Sequence, residues 1–123
     1  MFAIADIKPY ILLAKSAGTI LALKAIKDNL IAPIKCIFIG TAINWGIQKN
    51  LFSNELIKDF TIPILFIQKT QDSVAMPYEE FKTYTKQQGV KNAVYNELPG
   101  YDHDYNEIKE ISELISKFLL VQS

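Results

Sequence analysis

Ser16 stands in the string Ala14-Lys15-Ser16-Ala17-Gly18, where an apolar run of strand length ends and a stretch with helical spacing begins. A serine at such a strand-to-helix turn can act as a nucleophile if the turn lifts its hydroxyl clear of the sheet. The sharp backbone this requires tolerates only very small residues two positions before and two after the serine. Ala14 and Gly18 meet that demand. A helix beginning at Ala17 would aim free amides and a partial positive charge at the place where an oxyanion forms, with the Ala17 N–H as first donor. Two other readings compete. A phosphate-binding loop is excluded, because it needs glycines ahead of the Lys-Ser pair and Tyr10 to Ala14 contains none. A plain helix N-cap, a common role for serine, stays open.

The string is similar to the nucleophile elbow of the α/β-hydrolase family, usually G-x-S-x-G, with Ala14 in place of the first glycine. Small hydrolases with a Lys before the Ser resemble it most. In that family an acid and then a histidine follow the serine in chain order. Here the apolar run Ile64 to Ile67 leads into Gln68-Lys69-Thr70-Gln71-Asp72-Ser73-Val74-Ala75-Met76-Pro77, which resembles the family's acid loop, Val74 and Pro77 included. The last apolar run leads through Leu98-Pro99-Gly100-Tyr101-Asp102 to His103, the only histidine in the chain.

The resemblance implies that Ser16 is the nucleophile and that His103 takes its proton and returns it to the leaving group. Asp72 would orient the imidazole. It further implies a carboxyl ester or related acyl compound as small-molecule substrate, and no cofactor. Plainer roles exist for each residue: a turn or cap for Asp72, an exposed loop position for His103. Asp102 and Asp104 are not expected to serve as the acid, since neighbours of a histidine on a loop usually point away from its ring. The second expectation is a non-catalytic remnant of the family that acts only as an association module.

These residues need elements to bring them together. Four apolar runs are of strand length: Tyr10 to Ala14, Cys36 to Ile39, Ile64 to Ile67 and Ala93 to Leu98. Between and after them lie stretches with helical spacing: Ala17 to Asn29, Leu51 to Phe60, Tyr78 to Gln88 and Glu107 to Leu120. Alternation of this kind predicts an α/β fold, a four-stranded parallel sheet with flanking helices, and puts the serine, acid and histidine loops at the C-terminal ends of strands. In the last helix Ile108, Ile111, Leu114, Ile115, Phe118 and Leu119 fall on one stripe that faces the core. Trp45, Phe52, Met76 and Tyr78 either line an acyl pocket or pack as core.

Composition narrows the function further. Half of the 123 residues are hydrophobic, enough for one folded domain. Thirteen basic residues balance thirteen acidic ones, and the basic residues are all lysine. Without guanidinium forks or a concentrated basic stretch, nucleic acid is not an expected partner. One His and one Cys far apart offer no metal-ligand spacing. Cys36 lies in an apolar run and reads as a buried small hydrophobe in a reducing compartment, so the protein is expected to be cytoplasmic. The first residues, interrupted by Asp6, Lys8 and Pro9, form neither a secretory signal nor a membrane span.

The resemblance spans nearly the whole chain but only the second half of the family's sheet, so residues 1–123 are expected to be a single partial domain. The absent half is the one that supplies a second oxyanion amide and the strand beside the elbow strand. Tyr10 to Ala14 should therefore be an unprotected apolar edge that recruits a second copy or a partner chain.

Overall fold

The computed structural model describes residues 8–121, so the expectation about the N-terminal stretch rests mainly on positions 1–7, outside the described residues. The chain is of the α/β class. Strands β1 (Ile11–Lys15), β2 (Lys35–Ile39), β3 (Ile64–Lys69) and β4 (Ala93–Leu98) form one sheet in chain order, every neighbouring pair parallel. Helices α1 (Ala17–Lys27), α2 (Ile43–Gln48) and α3 (Tyr78–Gln87) connect the strands, and α4 (Ile108–Val121) follows the last.

The period-2 alternation of strands sorts their side chains onto two faces. Ala14, Cys36, Phe38, Ile64 and Phe66 face one way, against Ile20 and Leu23 of α1, Ile43 of α2 and Phe81 of α3. Phe66 is edge-on to Phe38 and Phe81 and stacked on Tyr95. Ile37, Ile39, Leu65, Ile67 and Leu98 face the other way and are covered by Ile111 and Phe118 of α4. Each aromatic side chain buried in this way stabilises the fold by roughly 1.5–3 kcal/mol. Cys36 is fully buried, which pushes its thiol up to about 12. Among the described residues no helix is long and apolar enough to cross a membrane.

One expected helix is absent. Leu51 to Phe60 contains only a single 3-10 turn, Asn54–Leu56. Asn50 and Asp59 at its ends take positive φ (59° and 57°), which stops helical propagation. Phe52, Ile57 and Phe60 are buried from this irregular segment. The helix of this connection is instead the short α2, upstream. Trp45 packs partly buried against the same core as Phe52 and Met76, and Tyr78 is also buried, which favours packing over an acyl pocket for these four.

β1 is an outer strand, as expected. Ser16 N–H donates to the Ile39 carbonyl and Ile34 N–H to the Tyr10 carbonyl, so the even-numbered residues of this strand aim their backbone groups at β2. The N–H and C=O groups of Ile11, Leu13 and Lys15 therefore face away from the sheet. Leu13 pairs with Ile37 and so lies on the α4 side of the sheet, where it is 53% exposed, and Ile11 is 44% exposed.

Candidate active site

Ser16 follows β1 and precedes α1 with φ 55° and ψ −127°. For a residue with a Cβ this left-handed conformation costs on the order of 1–3 kcal/mol, and its surroundings must impose it. Three hydrogen bonds do so. The Ser16 N–H is tied to Ile39 (2.9 Å), and the Ser16 carbonyl accepts both the N–H (2.9 Å) and the hydroxyl (2.6 Å) of buried Thr19. Thr19 Oγ1 in turn accepts the Ala42 N–H at 3.2 Å, which links the turn to the loop after β2. Ala14 is buried in the core. At Gly18, however, an added Cβ would meet nothing within 4 Å, so close packing among the described residues does not set the small size there.

The Ser16 side chain makes no capping bond to α1. Its hydroxyl meets His103 Nε2 at 2.6 Å, and His103 Nδ1 meets Asp72 Oδ2 at 2.7 Å. A carboxylate only accepts, so the neutral ring carries its proton on Nδ1 and offers the Nε2 lone pair to Ser16. The three residues lie on loops that follow β1, β3 and β4, and the parallel sheet brings those loops together at one edge. His103 is one-fifth exposed in its side chain and Asp72 is fully buried.

Asp72 is buried with both carboxyl oxygens engaged. Oδ1 accepts the N–H groups of Val74 (3.1 Å) and Ala75 (3.0 Å), and Oδ2 accepts the Tyr105 hydroxyl (2.8 Å) beside His103. The turn-forming role open to Asp72 is thus real, and one oxygen performs it while the other faces the imidazole. Asp102 points elsewhere, to Lys69 Nζ, which also reaches Glu107 Oε2 at 3.1 Å and the Asp104 carbonyl. Burial lowers the Lys69 pKa, but the hydrogen bonds that its ammonium donates to Asp102 and Glu107 outweigh it and raise the balance, so the ammonium stays charged. The Lys69 hydrogen bond holds the Asp102 carboxyl below its ordinary range. This clamp grips the histidine loop on both sides of His103.

Four contributing residues were not singled out from the sequence. Tyr105, Lys69 and Thr19 act as described. Gln68, fully buried, accepts the Thr41 N–H (3.1 Å) and donates to the Met76 carbonyl (2.7 Å), joining the loops after β2 and β3. The only available signal was polar Gln68-Lys69 continuing an apolar strand.

No protein-family model matches the chain, and no curated protein matches it. Among the described residues, no group of three or more His, Cys, Asp or Glu side chains could hold a metal ion. The chemistry open to the site is that of an activated hydroxyl beside a helix N-terminus.

Proposed function

We propose that the chain is a serine hydrolase of the α/β-hydrolase type, acting on a carboxyl ester or related acyl substrate. The observation that carries this reading is the continuous Ser16–His103–Asp72 hydrogen-bond chain on a strained strand-to-helix turn. Ser16 Oγ attacks the acyl carbon while His103 Nε2 takes its proton. The carbonyl oxygen, now an oxyanion, lies toward the Ala17 amide, one of the first-turn N–H groups that helix geometry leaves without an intrahelical acceptor. The alcohol leaves with the proton held by His103. Water then attacks the acyl-serine with the same base, releasing the acid and restoring the hydroxyl. The same reading places the protein in the cytoplasm, where the lone buried thiol of Cys36 needs no partner.

A fluorophosphonate probe tests the reaction. A phosphorus–oxygen bond forms at Ser16, fluoride leaves, and His103 takes the hydroxyl proton. One label per chain, located at Ser16 by peptide mass spectrometry, is expected. Folded protein that stays unlabelled sinks the proposal.

A second reading, an association module without catalysis, is favoured by the outer edge of β1, with its outward backbone groups and the half-exposed Ile11 and Leu13. Light scattering after size exclusion is expected to find a dimer or larger species, and Leu13→Lys should return it to monomer at the same concentration. A parent chain that elutes as a sharp monomer removes this reading.

A further inference from the structure

We infer that Tyr105 is a positioning residue of the site, holding the Asp72 carboxylate in the one rotation that aims Oδ2 at His103 Nδ1. The inference rests on the reading of Ser16, His103 and Asp72 as the reacting groups. The Val74 and Ala75 amides both bind Oδ1 and so fix one end of the carboxylate. Two donors on one oxygen leave rotation about that point open. The Tyr105 hydroxyl, at 2.8 Å from Oδ2, supplies the third.

The direction of that hydrogen bond is determined by the neighbouring contact. The Tyr105 oxygen accepts the Lys69 backbone N–H at 2.8 Å, so its single proton is left for Asp72. Burial, opposed by the Lys69 N–H and reinforced by the Asp72 carboxylate, pushes the phenol well above its usual range and keeps that proton in place. The ring is held as firmly as the hydroxyl. It is 2% exposed, perpendicular to the His103 ring at 5.9 Å, and lies under Lys69 Nζ at 5.2 Å. At Gly40, where φ is +61°, a Cβ would stand 2.6 Å from Tyr105 Cε1 and 3.3 Å from His103 Cε1. Glycine at position 40 therefore admits both rings.

Because His103 is the only histidine, its imidazole can be watched directly by nitrogen-15 and proton NMR. In the parent chain a far-downfield, slowly exchanging Nδ1–H signal is expected, with a nuclear Overhauser contact to the Tyr105 hydroxyl proton that shares Asp72 Oδ2. Its absence overturns the inference, whatever any variant does. In Tyr105→Phe the Nδ1–H signal should broaden and exchange faster. The limiting rate of fluorophosphonate labelling should fall on the order of tenfold, the scale of a lost hydrogen bond to a charged group. The concentration giving half-maximal rate should stay within about twofold, because Tyr105 does not touch the probe. Tyr95→Phe removes another partly buried tyrosine hydroxyl, bonded to Thr85 Oγ1 at 2.6 Å, and controls for lost stability. A Tyr105→Phe chain that is folded and matches Tyr95→Phe in signal and rate overturns the inference. Absence of labelling in the parent would instead overturn the reaction proposed for Ser16, with the NMR contact still measurable.

Discussion

Ser16→Ala is expected to abolish hydrolysis, lowering turnover by on the order of 10⁴-fold or more, because it removes the atom that forms the covalent bond and not a group that assists it. Stability should hardly move. Alanine keeps the Cβ and hence the strain at φ 55°, and the lost hydrogen bond to His103 is only partly buried. Ser16→Gly separates the two effects. Glycine adopts this backbone freely, releasing roughly 1–3 kcal/mol of strain, while its looser unfolded chain costs roughly 0.4–1 kcal/mol. The relief wins, so the glycine variant should be inactive and melt at higher denaturant concentration than the parent. A rise in stability on loss of activity indicates strain kept for the chemistry. Ser16→Ala with parental turnover would show that the activity belongs to a contaminant, and a less stable Ser16→Gly would refute the strain argument.

The sequence was most legible where one local rule decides. The apolar runs ended within a residue or two of the observed strands, because short runs bounded by Pro and Gly have few alternatives in an alternating pattern. The stripe in α4 was legible for the same reason from Ile111 on, since Ile111 and Phe118 repeat at helical spacing and both are buried, but Ile108, expected on the same core face, opens the helix 70% exposed. Leu51 to Phe60 misled because its apolar residues also repeat at near-helical intervals, yet they enter the core from an irregular chain. Gly46 sits inside α2, the short helix that this connection forms upstream of Leu51. An added Cβ there would stand 2.7 Å from Phe52 Cβ, so the glycine serves a close approach that depends on where Phe52 lies.

The site divides in the same way. Ser16, Asp72 and His103 could be marked because each follows a strand in a recognisable order. Tyr105 could not, since its hydroxyl is defined by a backbone amide 36 positions away and a carboxylate 33 away. The Lys69 clamp likewise exists only once β3 and the histidine loop are side by side. The three residues proposed to react carry local signatures, whereas those that hold them in place are specified by packing that no local pattern records.

Asp72→Asn is expected to cost on the order of 10⁴-fold in turnover, although it changes one atom and leaves the nucleophile intact. The four donors around the carboxylate decide how the amide must sit. If the NH2 group faced Val74 and Ala75, two N–H donors would meet a third, with no acceptor for either. The amide oxygen therefore takes that side, and the NH2 faces His103 and Tyr105. There it donates to Nδ1, which moves the imidazole proton to Nε2 and points an N–H at the Ser16 oxygen. The ring becomes a donor where a base is needed. The Tyr105 hydroxyl also loses its acceptor while still receiving the Lys69 N–H, leaving a buried donor unsatisfied at a cost of roughly 1–3 kcal/mol in stability. Nitrogen-15 shifts of the sole imidazole should report the change of tautomer, and denaturant melts the accompanying loss. The residual rate should stay above that of Ser16→Ala, since the hydroxyl and the Ala17 amide survive. An Asp72→Asn chain that keeps its ring proton on Nδ1 and more than about a tenth of parental turnover would show that Asp72 does no more than shape its own turn.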